Sequence, residues 1–346
     1  MSVNIQTGTN KGKDSSVSST GTDKLTMAQA LNRALSEEMQ RDDRVLVMGE
    51  DVGVDGGVFR ITDGLLDSYG PDRVMDTPLA ESGIMGTALG LAVAGFRPVV
   101  EIQFMGFVYP ALNQLFAHVA RMRFRSSGRF TVPMVVRIPY GGGIHPPEHH
   151  SESYESLFLN TPGLKVVVPS TPSDAKGLLT AAIRDNDPVV FMEPKRIYRS
   201  FREDVSLEPY SIDLGKALIV HEGSDVTIIA YGAMIRQAMD ARESLERNGV
   251  SVEVVDLRSL NPLDIDTVLA SASKTGRVVI VHEAPGMVGF GAELSALISE
   301  RALLHLLAPV ERVTGFDTIF PFGMLEHHYL PNRDRIVKAV ERTLSF

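Results

Sequence analysis

The chain has 346 residues, which predicts roughly two domains at about 150 residues each. It carries 34 Lys and Arg against 43 Asp and Glu, a net charge of -9. This balance disfavours a nucleic-acid partner, because surfaces that bind phosphate backbones need clustered cations. Cysteine is absent, which excludes disulfides, thiol nucleophiles, iron-sulfur clusters and cysteine zinc sites.

No apolar run in the sequence reaches the roughly 18 residues that a membrane span requires. Residues 1–23 are rich in Ser, Thr, Gly, Asn and Lys and have no hydrophobic centre. They therefore predict a disordered tail rather than a secretory signal or a transit peptide. Together these features predict a cytoplasmic protein that does not bind membranes.

The first ordered element is expected near residue 24, where Thr26 and Gln29 form a capping box that predicts the start of a helix. Short apolar runs rich in β-branched residues predict buried strands at 45–48, 99–104, 134–138, 166–168 and 189–192. Helical patterns lie between them at 83–93, 111–123 and 173–184. Strands that alternate with helices indicate a parallel sheet.

A charged, turn-rich segment at 198–215 is typical of a connection between domains. Beyond it, strands are predicted at 226–230, 252–257, 278–281 and 310–313, and helices at 233–248, 264–272, 291–304 and 334–344. The sequence therefore predicts an α/β protein with two three-layer α/β/α domains, at 24–210 and 211–346.

Two stretches of the first predicted domain carry side chains suited to chemistry. Glu81 lies where a turn meets a helix of small residues, and its carboxylate either stabilises the positive end of that helix or is desolvated for proton transfer. Gln103 and Phe107 lie at the end of a predicted strand. They either line a cleft at the carboxyl edge of the sheet or belong to the core.

A third stretch, at 141–152, is glycine-rich and contains His145, His149 and His150. Two prolines interrupt the spacing that a zinc site needs, so proton transfer or anion binding is the favoured role of these histidines. A phosphate-binding loop, a dinucleotide fingerprint and a serine-hydrolase elbow are all missing from the sequence. This disfavours a self-contained kinase, a nicotinamide dehydrogenase and a serine hydrolase.

Several motifs in a fixed order carry a family resemblance: GEDVG at 49–53, GVFR at 57–60, DTPLAE at 76–81, EIQF at 101–104, PGLKVV at 162–167, DAKGLL at 174–179 and VVDLR at 254–258. With them, the chain from about residue 25 onward resembles the beta subunit of the thiamine diphosphate-dependent decarboxylase (dehydrogenase) component of 2-oxo acid dehydrogenase complexes, in the transketolase-like superfamily. The resemblance implies a pyrimidine-binding domain followed by a transketolase-type C-terminal domain.

The same resemblance implies roles for individual residues. Glu81 would bond the ring nitrogen of the cofactor's aminopyrimidine, and Leu79, Gln103 and Phe107 would line the pocket around that ring. Phe107 offers a ring face for stacking where many relatives carry tyrosine. His150 would face the substrate carboxylate and serve transfer of the acyl group to the lipoyl arm.

The family's diphosphate and Mg²⁺ motif, Gly-Asp-Gly followed by paired asparagines, is absent from this sequence. The resemblance therefore implies that an alpha subunit holds the diphosphate and Mg²⁺ of thiamine diphosphate, in an α2β2 assembly whose active sites lie between unlike subunits. A lipoyl acyltransferase core is the second implied partner. Some members bind a monovalent cation such as K⁺, here at Ala182, Asp185 and Asp187, although a relative carries asparagine at the last position.

The substrate is expected to be a small 2-oxo acid. The stretch 141–151 resembles the pyruvate type of the family more closely, which implies pyruvate, while branched-chain 2-oxo acids such as 2-oxoisovalerate, and acetoin, stay as alternatives within the family. A non-catalytic scaffold for dimerisation and docking is the alternative from a different class, because half of the cofactor site lies elsewhere.

Overall fold

The computed structural model describes residues 21–346. In that range the strands are β1 (Thr22–Leu25), β2 (Val45–Gly49), β3 (Val74–Asp76), β4 (Arg97–Glu101), β5 (Val135–Tyr140), β6 (Lys165–Val167), β7 (Val189–Pro194), β8 (Glu203–Ser206), β9 (Leu218–His221), β10 (Val226–Ala230), β11 (Val252–Asp256), β12 (Ser259–Asn261), β13 (Val278–Pro285) and β14 (Glu311–Gly315). The α-helices are α1 (Met27–Arg41), α2 (Leu65–Tyr69), α3 (Glu81–Val93), α4 (Tyr109–Ala117), α5 (Met122–Arg125), α6 (Glu155–Leu159), α7 (Pro172–Arg184), α8 (Met234–Glu246), α9 (Ile265–Thr275), α10 (Phe290–Ala302), α11 (Glu326–Tyr329) and α12 (Arg333–Leu344).

Seven strands form the first sheet, in the order β12-β6-β7-β5-β4-β2-β3. Its neighbouring strands are parallel, except that β12 runs antiparallel to β6 at one edge. Helices α1 and α7 pack on one face of this sheet, and α3 and α4 pack on the other. We call this sheet and its helices the first domain.

Five strands form the second sheet, in the order β14-β13-β10-β11-β9, and only β9 runs antiparallel to its neighbour. Helices α8 and α12 cover one face, and α9 and α10 cover the other. We call this unit the second domain. The predicted fold class, two three-layer α/β/α domains, is confirmed.

The strands are apolar on both sides because both faces of each sheet are covered by helices. Val135 in β5 packs toward α1 and α7, and its neighbour Val136 packs toward α3 and α4. The same alternation continues in β10, where Ile228 and Ile229 join opposite layers. Alternate side chains of one strand thus build two apolar layers.

Several elements differ from the sequence prediction. The predicted helix 111–123 is broken at His118, whose φ of -123° lies outside the helical range, so α4 and α5 are separate helices joined by a 3₁₀ turn. The predicted connection 198–215 contains β8, which pairs antiparallel with β1. That pairing includes Thr22 and Asp23, so the predicted disordered tail is wrong for these two residues, and residues 1–20 of that tail lie outside the described residues.

The division predicted between residues 210 and 211 falls in the segment between β8 and β9 and stays a prediction. One strand does not follow this division: β12 comes after β11 of the second domain along the chain, but it forms the edge of the first sheet. Within residues 21–346, the longest apolar helices are too short or too polar to cross a bilayer.

Candidate active site

A group of carboxylates lies at the carboxyl edge of the first sheet, where open α/β folds bind ligands. Glu81 begins α3, just after β3, and its side chain is about nine-tenths buried. Glu50 follows β2, is buried, and its Oε1 has no hydrogen-bond partner in the described chain. Burial, followed by the charges of Glu81 and Asp51, raises the pKa of Glu50. Two acids, one after β2 and one at the start of α3, therefore lie near each other where little water reaches them.

The loop that carries Glu50 is fixed by side chains from the neighbouring strands. Asp76, at the end of β3, accepts hydrogen bonds from the backbone N–H groups of Gly53 at 2.6 Å and Val54 at 3.0 Å. Gln103 Nε2 donates to Asp51 Oδ2 at 3.0 Å and to the Glu50 carbonyl at 3.4 Å. Gln103 therefore lies beside these carboxylates with its amide bound to protein atoms, and its role in the cofactor pocket stays a prediction.

A network of buried charged side chains lies in the strands that form this edge of the sheet. The Arg137 guanidinium, fully buried in β5, pairs with Glu101 at 2.8 Å and with both carboxylate oxygens of Glu193 at 2.7 and 2.9 Å. Tyr198 donates a hydrogen bond to Glu193 at 2.6 Å. Burial raises the pKa of Glu101, and the Arg137 charge opposes that rise. Glu101 Oε1 has no partner among the described residues, so it is a further unpaired acid atom beneath the site.

Aromatic rings form the side of the site next to Gln103. The Phe104 ring meets the His150 ring edge to face at 4.6 Å between centroids, and Phe107 meets His150 at 5.1 Å. The His150 Nδ1 is buried without a partner in the described chain. Burial, followed by the charges of His149 and Lys195, lowers the pKa of His150. The neutral imidazole of His150, packed against Phe104 and Phe107, can accept a proton.

Leu79 is 80% exposed, an unusual position for a large apolar side chain next to a buried acid. Phe107 is partly buried against the core. The predicted pocket residues thus lie at a surface of this chain rather than in a closed cavity.

The predicted cation residues lie on the opposite end of the sheet, at the end of α7. The Asp185 N–H donates to the Ala182 carbonyl at 3.3 Å, and the Asp185 carboxylate pairs with Lys165 at 2.6 Å. The Asp187 carboxylate pairs with Arg123 at 2.5 Å. The structure brings the three residues together, and basic side chains neutralise both carboxylates. Across residues 21–346, no group of three or more His, Asp or Glu side chains is arranged to hold a metal ion.

Sequence reasoning did not single out Glu50, Phe104 or the arginine network. Glu50 lies in the GEDVG motif directly after a buried strand, and that placement was the available signal for it. Phe104 lies next to Gln103, but its packing against His150 depends on a loop that is distant in sequence. Glu101 carries a similar signal, in the EIQF motif at the end of β4, but its pairing with Arg137 and Glu193 has none, because the three residues come from three separate strands.

The site fits one part of thiamine diphosphate. An aminopyrimidine presents ring nitrogens, an amino group and a flat apolar face, and it needs acids and aromatic surface around it. Glu50, Glu101 and His150 each carry a buried polar atom without a partner in the described chain, and the rings of Phe104 and Phe107 pack edge to face at 5.4 Å between centroids.

Comparisons with known proteins agree with this fit. The transketolase pyrimidine-binding domain family matches residues 23–200, and the transketolase C-terminal domain family matches residues 215–336. The pyruvate dehydrogenase E1 component subunit beta of Staphylococcus epidermidis is 55% identical over 322 residues, which cover 93% of this chain and 99% of that protein. The protein of the same name from Staphylococcus aureus strain Mu50 is 54% identical over the same shares.

Solved structures share the fold at lower identity. An inactive beta4 tetramer of a split-gene transketolase superposes with a TM-score of 0.76 at 23% identity, covering 93% of this chain and 99% of that one. A transketolase mutant from Pichia stipitis gives a TM-score of 0.68 at 15% identity, with 93% of this chain and 46% of that one covered. On its sequence and its fold, the chain belongs to the family of beta subunits of the thiamine diphosphate-dependent dehydrogenase component of 2-oxo acid dehydrogenase complexes.

Proposed function

We propose that this chain works with an alpha subunit in an α2β2 enzyme that decarboxylates pyruvate on thiamine diphosphate and passes the acetyl group to the lipoyl group of an acyltransferase core. The observation that carries the proposal is the placement of Glu81, about nine-tenths buried beside the unpartnered Glu50 at the carboxyl edge of the first sheet. The 55% identity to pyruvate dehydrogenase beta subunits supports pyruvate over 2-oxoisovalerate and acetoin.

When bound, thiamine diphosphate supplies a nucleophilic carbon and an electron sink for the loss of carbon dioxide. The role of this chain is to hold the aminopyrimidine. Glu81 would bond its ring nitrogen and keep the proton there, while Leu79, Gln103 and Phe107 would line the ring. Burial excludes water from the Glu81 carboxylate and strengthens that bond.

His150 would face the substrate and move a proton during acyl transfer. Burial lowers its pKa, so the imidazole is neutral at neutral pH and has a ring nitrogen free to accept a proton. The exposed Leu79 supports a shared site, because a second subunit would cover this apolar side chain. That subunit would also hold the diphosphate and Mg²⁺.

The monovalent-cation site at Ala182, Asp185 and Asp187 stays a prediction. Because Lys165 and Arg123 already pair with the two carboxylates, K⁺ would have to displace at least one of these basic groups.

The experiment co-expresses the full chain with its alpha partner and follows reduction of an artificial electron acceptor with pyruvate, 2-oxoisovalerate and acetoin in turn. Pyruvate is expected to give the highest kcat/KM. Glu81→Gln is expected to lower kcat for pyruvate by at least about a hundredfold, because it removes a group that handles a proton in the reaction. Glu300→Gln, on the exposed face of α10, is the matched control.

Turnover by Glu81→Gln at the wild-type rate would exclude Glu81 from the chemistry. A reconstituted wild-type enzyme that binds its partner but turns over none of the three substrates would favour the scaffold alternative. A preference for 2-oxoisovalerate or acetoin would keep the family and replace the substrate.

A further inference from the structure

The segment 141–152, here named the histidine loop, carries His150 and contacts both domains. At its tip, His149 and His150 pack on the 3₁₀ turn Met105–Val108 of the first domain, where Gly106 leaves room for the His149 carbonyl. At its stem, Gly141, Gly142 and Gly143 lie against the second domain and the segment after β7. The position of His150 therefore depends on contacts at both ends of the loop.

Two buried carboxylates of the second domain accept hydrogen bonds from the stem of this loop. Glu283, in β13, accepts from the Gly142 N–H at 3.0 Å. Glu326, at the start of α11 with only 1% of its side chain exposed, accepts from the N–H groups of Gly143 at 2.7 Å and His145 at 3.3 Å. Hydrogen bonds between a backbone N–H and a buried carboxylate are among the stronger ones in proteins.

Cations of the first domain complete this group. Lys195 is buried after β7, its ammonium donates to the Gly141 carbonyl, and its charge faces Glu283 and Glu326. Arg196 lies next to Glu283 and against Gly143. The stem is thus enclosed by acids from one domain and bases from the other.

The backbone of the stem needs such support. Gly143 has a φ of +104°, and His145 has a φ of +58°, a left-handed conformation that is uncommon for any residue with a side chain. Such conformations persist when the surrounding structure holds them. The two N–H groups that bond Glu326 belong to these same two residues.

We propose that Glu326 and Glu283 are positioning residues, which fix the histidine loop from the second domain so that His150 is placed for acyl transfer. This proposal rests on the proposed function of His150. It gives the second domain a part in the chemistry, although the cofactor residues lie in the first. Glu81 and Gln103 do not belong to the loop, so cofactor binding and decarboxylation depend less on its stem.

The test uses the full chain co-expressed with its alpha partner. Glu326→Gln retains the size of the side chain, but its single amide oxygen can accept only one of the two loop N–H groups. Gly143→Ala is the second variant, because its Cβ would enter the Arg196 side chain. The controls are Glu300→Gln and Gly249→Ala. Gly249 also has a positive φ, of +81°, but a Cβ added there would meet no other atom within 4 Å.

Two measurements are compared. Hydrogen exchange of peptides from 141–152 reports whether the loop is held. The rate of lipoyl-domain acylation is divided by the rate of artificial-acceptor reduction. This ratio reports whether His150 is correctly positioned for acyl transfer, because a general loss of folded protein would lower both rates equally. Both variants are expected to raise loop exchange and to lower the acylation rate between about ten- and a hundredfold, with a smaller loss on the artificial acceptor. The controls should match the wild type in both measurements.

Unchanged loop exchange in Glu326→Gln would overturn the proposal, and so would equal losses in the two rates. If the wild-type enzyme turns over no 2-oxo acid, the proposed function fails and the role of the loop in acyl transfer fails with it. The exchange comparison would still decide separately whether Glu326 holds the loop.

Discussion

His282 shows how burial sets the behaviour of one residue. Its ring is fully buried in β13, its Nε2 accepts from the Gly291 N–H at 3.1 Å at the start of α10, and it stacks on Tyr231 with 14° between the ring planes. Burial lowers its pKa from 6.5 to about 4. The folded chain therefore keeps this imidazole neutral over a range in which the unfolded chain binds a proton.

This difference predicts a pH dependence of stability. Between pH values of about 6.5 and about 4 the unfolded state holds the extra proton, so the free energy of unfolding falls as the pH decreases through that window. The contribution of His282 to that loss is about 3 kcal/mol. We expect the free energy of unfolding of His282→Gln, measured by urea unfolding at a series of pH values, to fall less steeply across this window than that of the wild type, by about 3 kcal/mol in total. The control His305→Gln, at an exposed site, should show the same dependence of the free energy of unfolding on pH as the wild type. A dependence as steep as that of the wild type in His282→Gln would contradict the assignment.

At the scale of residues, the sequence predicted groups that the family resemblance assigns a role and left out those that act through distant neighbours. Gln103 was expected at the sheet edge, and it lies there beside Asp51. Glu50 lies in the GEDVG motif but had no predicted role, because its environment is made by Glu81 in α3 and Glu101 in β4. Glu326 had no sequence signal, since its partners are backbone N–H groups far away in the chain.

The start of α1 provides a prediction at the scale of one element. Thr26 Oγ1 accepts from the Gln29 N–H at 3.3 Å, and the Gln29 side chain accepts from the Thr26 N–H at 3.0 Å, which is the predicted capping box. Thr26→Ala should lower the free energy of unfolding by about 1 kcal/mol, because it leaves a helix N–H without that acceptor. Chemical denaturation measures the change, and Thr318→Ala, outside any helix, is the control. A stability equal to wild type in Thr26→Ala would show that solvent replaces the cap.

Long, fully buried strands such as β5, β7 and β10 were predictable because both of their faces are apolar. The short edge strands β3, β9 and β12 were not, because three or four residues carry little periodicity and these strands lack the run of valines by which β6, equally short, was predicted. The break at His118 was also missed. Its apolar spacing is helical, and only the backbone conformation shows that the helix ends there.

On the scale of the whole molecule, Tyr231 and Glu155 join the two domains. The Tyr231 hydroxyl, after β10, donates to Glu155 Oε1 in α6 at 2.5 Å, and both side chains are buried. Tyr231→Phe should lower the free energy of unfolding by about 1–3 kcal/mol, because a buried polar group loses its partner. Combining it with Glu155→Met should cost less than the sum of the single changes, as measured by a double-mutant cycle in urea. Strict additivity would show that the two groups do not interact.

The crossing strand β12 makes the two halves of the chain structurally dependent on each other. Asn261, its last residue, donates to the Leu164 carbonyl at 2.6 Å and closes the border of a sheet built mostly from earlier segments. A gene divided between β8 and β9 would produce an amino-terminal fragment with the hydrogen-bonding groups of β6 open to other polypeptides, a hazard for aggregation. The two fragments would have to be produced together, because the carboxy-terminal fragment carries β12, which pairs with β6 of the amino-terminal fragment.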